Sequence, residues 1–207
     1  MGEHHPGRGE PLPEEVLAIH AGLFRDVSAL RLKWDTYLGL LASPEVADLL
    51  SDAAPAFFQI VAESLRADIV QSICRLGDPS RSLAPDNPSL ATLVGRCPDA
   101  PRLEHLLTAF QAACGPVRRH RHRHLGHEDL GGRIRPREDL LPDVSRARID
   151  EILWLAGGIL EVIDRDDSAG DAALRPTPVG GVEELILRLR LAHERGQERR
   201  FRDEMTM

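Results

Sequence analysis

Apolar residues recur at steps of three and four along most of the chain, and Pro, Gly and Ser punctuate the pattern. That is the period of a buried helix face. The first such stripe is Leu23, Val27, Leu30, Trp34, Leu38 and Leu41. Its helix is expected to open near Pro13, with Glu14 and Glu15 favourably placed at the positive end of the dipole. Ser43-Pro44 should end it. A short amphipathic piece, Glu45 to Leu50, leads to Pro55, and a helix from there carries Phe58, Val61, Leu65, Ile69, Ile73 and Leu76. Gly77 and Pro79 then supply a stop. Asp68, Gln71 and Arg75 share another face of that helix, which reads as solvated or salt-bridged.

Beyond a loop at Ser80 to Pro88, Asn87-Pro88 reads as a cap and first helical position for a short helix through Leu90 and Leu93. A helix capped by Asp99 should start near Pro101 and carry Leu103, Leu106, Leu107, Phe110 and Cys114. Gly115-Pro116 is expected to break or kink it. Loop signals at Leu130-Gly131-Gly132 and Pro136 precede a helix over roughly Asp143 to Ile163, with Ile149, Ile152, Leu153, Ala156, Leu160 and Ile163 on one face. Asp164 to Gly181 reads as a linker. In the last helix, from about Val182 to Arg200, Leu185, Leu189 and Ala192 could dock, while the remainder is charged all round. No alternation at period two is sustained, so the expected class is an all-α bundle.

Composition narrows the setting. Of the 207 residues, 42% are hydrophobic but only 4% aromatic, so the core is expected to rest on Leu, Ile, Val and Ala. No window approaches the roughly 18 uninterrupted apolar residues of a membrane span, and the polar, Gly/Pro-rich start lacks the apolar core of a signal peptide. Cys74, Cys97 and Cys114 are odd in number and widely spaced, which argues against a disulfide scaffold or a CxxC metal site and for a reducing, cytoplasmic setting. The net charge of -7 means that any nucleic-acid contact must come from a local patch.

Such a patch exists. Arg118, Arg119, Arg121 and Arg123 are interleaved with His120, His122 and His124, and His127 follows before the first acid, Glu128. Three readings compete. If the run is helical, His120, His124 and His127 share a stripe that could hold a metal, but the interleaved arginines oppose a cation. A solvated basic surface would give only weak, salt-sensitive attraction to anions. The third reading is metal-free phosphodiester chemistry: an RNA strand carries its own nucleophile, histidine can shuttle the proton near neutral pH, and arginine can steady the charge that develops on phosphorus.

The segment Arg121-His122-Arg123-His124-Leu125-Gly126-His127 resembles the arginine-x(4–6)-histidine motif of the HEPN superfamily, and Glu128-Asp129 extends the likeness to members reading R-D-K-x-L-A-H-x-D. Upstream, Trp34-Asp35 and Tyr37, the run from Phe57-Phe58 to Arg75-Leu76-Gly77-Asp78-Pro79, and Asn87-Pro88-Ser89-Leu90 resemble the abortive-infection U-type branch, where R-L-x-D-P and N-x-S-L precede the Arg/His motif. The likeness spans about Leu23 to Ile163. His122 and Arg123 replace the family's usual Asp and Lys, and Gly126 its usual Ala.

Beside the flexible segment at 1–12, the linker at 166–181 and the additional charged C-terminal helix at 182–207 read from the residue pattern, the resemblance implies a HEPN-like bundle of four to five helices at 13–165. It further implies a homodimer, RNA or a nucleotide as partner, a possible cognate antitoxin, no membrane, no cofactor and no metal. The implied activity is metal-independent RNA cleavage in a toxin–antitoxin or phage-defence setting; the alternative is a non-catalytic nucleotide- or partner-binding protein. His127 would be the acid/base and Arg121 the phosphate stabiliser. Asp129, Arg123 and His124 would be auxiliary or orienting, Arg118 and Arg119 would contact phosphates, and Arg75 and Asp78 would be structural. On an ideal helix the step from Arg121 to His127 is about 600°, so the two would not share a face. Either Gly126 ends the helix and lets His127 swing, or two chains assemble the site.

Overall fold

The computed structural model describes residues 12–78, 88–97, 100–124, 144–166 and 181–204, and every regular element there is an α-helix. Seven are present among the described residues: α1 (Glu14–Leu40), α2 (Pro44–Ala53), α3 (Pro55–Leu76), α4 (Leu90–Arg96), α5 (Ala100–His124), α6 (Arg146–Asp166) and α7 (Val182–Glu204). The all-α architecture read from periodicity is therefore the one observed. Pro79, the Asn87 and Asp99 caps, the signals at 130–132 and 136, the start at Asp143 and most of the segments 1–12 and 166–181 lie outside the described residues.

Local chemistry sets the helix starts. Ser43 caps α2, its Oγ accepting the Val46 amide at 3.3 Å, with Pro44 just inside the helix. Ser89 does the same for α4, accepting the Thr92 amide at 3.2 Å. The cap is thus Ser89 and not Asn87: the serine oxygen is the one that reaches the third amide of the helix, and Pro88 precedes the cap. A second correction concerns the break, though not the kink, expected at Gly115-Pro116. The helix neither ends nor restarts there, and α5 runs through Pro116 to His124. Proline removes one amide from the ladder, but Cys114, Val117 and His120 on either side are buried and hold the turn in place.

The chain divides into two compact units. The first holds the early part of α1, the end of α3, and α4, α5 and α6. Its core includes Leu23, Ile73, Leu90, Leu93, Phe110, Cys114 and Val117, and the whole expected face of α6 from Ile149 to Ile163 is buried. Each fully buried Ile or Leu contributes about 1.5–3 kcal/mol. α5 lies along α6 and against α4. His20 links α1 to the end of α6, with Nε2 3.2 Å from the Leu160 carbonyl and 3.3 Å from Asp164 Oδ1.

The second unit holds the end of α1, α2, the start of α3, and α7. Leu40, Val46, Leu49, Leu50, Val182 and Ile186 form its core, with Phe58, Val61, Leu65 and Leu189 packed against them. Two registers differ from expectation. α1 buries Tyr37 and Leu40 while Leu41 is exposed, because the Tyr37 ring stacks on Trp34 at 5.9 Å and the helix ends at Leu40. Burial pushes the Tyr37 hydroxyl pKa up, partly offset by Arg66. In α7 the docked residues are Val182, Ile186 and Leu189, whereas Leu185 and Ala192 are exposed. The seat of Val182 decides this: its side chain occupies the space a Cβ on Gly39 would need. The salt-bridged face of α3 is as expected within each unit, with Asp68 2.5 Å from Lys33 in the second and Arg75 3.4 Å from Asp26 in the first. Gln71 is exposed. Among the described residues no helix is long and apolar enough to cross a membrane.

Candidate functional site

The basic run begins inside a helix, and helical geometry sorts its residues by direction. Cys114, Val117 and His120, spaced by three, face inward, and His120 is only 1% exposed. Arg119 and His122 face solvent. Arg118 and Arg121 lie on the flank between, in line with Cys114 at steps of four and three, and both are half-buried.

That flank meets the C-terminal end of α3. Gly77 donates to the Ile73 carbonyl at 3.0 Å, and Asp78 to that of Arg75 at 3.3 Å, which closes the helix. The Gly77 carbonyl accepts a hydrogen bond from Arg118 Nη2. A helix C-terminus is the negative end of its dipole, so a guanidinium is favoured there. Glycine leaves room for the approach: a Cβ at position 77 would sit 2.7 Å from Arg118 Nη2 and 3.3 Å from Cys114 Sγ. Arg118 Nε is buried and has no hydrogen-bond partner among the described residues. Cys74 and Cys114 are both buried beside this contact. Burial pushes the Cys114 thiol up to about 12, against the pull of Arg118. It raises Cys74 as well; Asp78 adds to that rise, while Arg121 and Arg118 oppose it. The charge of Arg121, the motif arginine, is thus among those felt by Cys74 near the end of α3.

The sequence-derived site is thus only partly brought together. Arg118, expected on phosphate, is bonded to a backbone carbonyl. Arg119 is exposed and Arg121 half-buried. His127 and Asp129 lie outside the described residues, as do the side chains of Arg123 and His124. Of the metal stripe, only His120 can be placed, and it points into the core. Among the described residues no three His, Cys, Asp or Glu side chains are grouped as metal ligands would be. Arg75 ties α3 to Asp26 of α1. The bond between Arg118 and Gly77 was not anticipated, although a glycine at a helix end and an arginine in step with a buried cysteine are both visible in the sequence.

A separate groove of about 300 Å³ lies in the second unit, between α2 and α7, lined by Glu45, Asp48, Leu49, Asp52, Arg190, His193 and Glu194. It contains none of the sequence-derived site residues. His193 Nδ1 is 4.0 Å from Asp52 Oδ2 there.

Neither a curated protein nor a solved structure matches this chain. A family model does: that of AbiU2, a HEPN family, matches residues 13–165. The match takes in all of α1 to α5, the segment carrying the Arg/His motif, and nearly all of α6, so the chain belongs to the HEPN AbiU2 family.

Proposed function

We propose that this protein is a metal-independent endoribonuclease of toxin–antitoxin or phage-defence type, acting in the cytoplasm as a homodimer. The ribose 2′-hydroxyl attacks the adjacent phosphorus and loses its proton to His127. The 5′-oxygen of the next nucleotide leaves and takes up a proton. The products are a 2′,3′-cyclic phosphate and a free 5′-hydroxyl. Arg121 steadies the charge on the phosphorane, Asp129 orients His127, and Arg123 and His124 assist. Arg119 holds the flanking backbone. The reaction needs no metal or cofactor, because RNA provides the nucleophile and the protein a proton carrier and a cation.

The observation that supports this reading is the disposition of the end of α5. In a chain of net charge -7, this helix presents exposed Arg119 and His122 beside half-buried Arg121, on a domain of the AbiU2 family. The local positive surface suits a phosphodiester strand.

The test is RNA cleavage by the purified protein in the presence of a chelator. Product ending in 2′,3′-cyclic phosphate is expected. His127→Ala should lower the rate by about 10²–10⁴-fold and Arg121→Ala by about 10²–10³-fold, with unchanged far-UV circular dichroism. If both variants cut RNA like the parent, the roles are wrong. RNA binding without product would instead make the protein a binding module, and loss of cleavage to the chelator would make it a metal enzyme.

A further inference from the structure

We propose that Arg118 is a positioning residue: by holding the Gly77 carbonyl it clamps the last turns of α5 to the end of α3 and so sets where Arg121 stands. In the sequence Arg118 looks like one more phosphate ligand. Three observations set it apart. Its Nη2 is bonded to the carbonyl that closes α3. Its Nε is buried, facing away from any strand that approaches through solvent. Finally, position 77 lacks the Cβ that would stand 2.7 Å from Nη2, so the chain leaves room for this contact.

The consequence for Arg121 follows from helix geometry. Arg118 and Arg121 are three residues apart, less than one turn, on the flank that faces the end of α3. This part of α5 lies beyond Pro116, where the ladder has lost an amide. A helical segment whose ladder has lost a bond is steadied in direction by an external tie. Of the arginines at 118, 119 and 121, Arg118 is the one bonded to α3. Arg119 is exposed and free to meet a phosphate.

The functional part of this proposal rests on the nuclease reading; the clamp does not, and the experiment separates them. Arg118→Met removes the guanidinium. Gly77→Ala leaves every charge in place but puts a methyl 2.7 Å from the position of Nη2, which must then shift; the backbone at Gly77 is outside the left-handed region, so the methyl acts through space alone. Because Gly77→Ala carries the same test without altering the arginine, a misfolded Arg118→Met protein does not end it. Amide hydrogen exchange over residues 117–124 needs no RNA. Both variants should exchange there at least about tenfold faster than the parent, with little change over α6.

With single-stranded RNA, the salt dependence of binding identifies phosphate ligands, since each one lost reduces the slope of log K against log salt by about 0.7. Arg119→Ala should show that reduction; Arg118→Met and Gly77→Ala should keep the parent slope. Their kcat should fall on the order of 10²-fold with KM little changed, as expected when a catalytic group is misplaced. If Arg118→Met lowers the slope as Arg119→Ala does, Arg118 is a phosphate ligand and the proposal is overturned. Unchanged exchange over residues 117–124 in both Arg118→Met and Gly77→Ala overturns the clamp outright. A parent that neither binds nor cuts RNA removes the nuclease reading, and the exchange data then decide the clamp alone.

Discussion

Replacing Cys114 by Ala should weaken the protein at neutral pH and protect it at alkaline pH. The thiol is fully buried and its pKa is raised to about 12, from an ordinary value of 9.0, chiefly by desolvation. In the unfolded chain the thiol ionises near the ordinary value; in the native protein it keeps its proton for about three more pH units. Below pH 9 both states hold the proton and the group makes no pH-dependent contribution. Between about pH 9 and 12 the unfolded state binds fewer protons, so stability falls by about 1.4 kcal/mol per unit. At pH 10.5 the loss from this one group is about 2 kcal/mol. Deleting the sulfur leaves a small void and costs about 1 kcal/mol at pH 7. The two stability curves should therefore cross near pH 10. Cys74 and Tyr37, also raised by burial, push the parent and the variant in the same direction, so the difference reports Cys114 together with its coupling to Cys74. Urea unfolding followed by circular dichroism, with a reductant from pH 7 to 10.5, measures it. A gap that stays constant across that range would show that the thiol titrates alike in both states, and the desolvation argument would fail.

Two further outcomes test the packing. Trp34 is 2% exposed and Trp154 is 68% exposed. Trp34→Ala should destabilise by about 3–5 kcal/mol, whereas Trp154→Phe should stay within about 0.5 kcal/mol of the parent and remove the emission most accessible to acrylamide; equal quenching in Trp154→Phe and Trp34→Phe proteins would contradict the burial of Trp34. Ser89→Ala should cost about 1 kcal/mol by leaving the Thr92 amide without its acceptor. In a chain of this size that lowers the melting temperature by roughly 2–4 °C, and a calorimetric trace coincident with the parent's would show that the cap does not form.

Where a helix has one unambiguous apolar stripe, the sequence is enough. α6 buries the face its spacing predicts, together with Leu155 and Ile159 beside it. α7 shows the opposite case. Val182, Leu185, Ile186, Leu187, Leu189 and Leu191 surround its first turns, so several faces are nearly equivalent by period alone. The choice comes from Gly39, more than a hundred residues earlier, whose missing Cβ admits Val182. Pro116 shows how local rules are overruled. A proline in mid-helix costs about 3 kcal/mol, but the buried Cys114, Val117 and His120 contribute a comparable amount by docking the segment. Asn87 and Ser89 are both good caps by residue type, and only the reach of a side-chain oxygen to a particular amide separates them.

The candidate site was legible as chemistry and illegible as geometry, for one reason. Sequence reports that arginines and histidines are abundant between residues 118 and 127; it does not report depth. Helical rotation assigns adjacent members of that run to different environments: His120 to the core, Arg119 and His122 to solvent, and Arg118 to a backbone carbonyl of another helix. A guanidinium has five donors in a rigid fork and stays charged when buried, so the same residue type serves a helix terminus as well as a phosphate. What distinguishes the two uses is the partner's freedom to leave. A carbonyl at the end of α3 is part of the fold and stays in place, while a bound phosphate is free to leave. An arginine bound to the first can orient its neighbours continuously, and one reserved for the second must stay accessible. Arg118 and Arg119, adjacent in sequence, therefore meet opposite surroundings, because one helical step separates the face toward α3 from the face toward solvent.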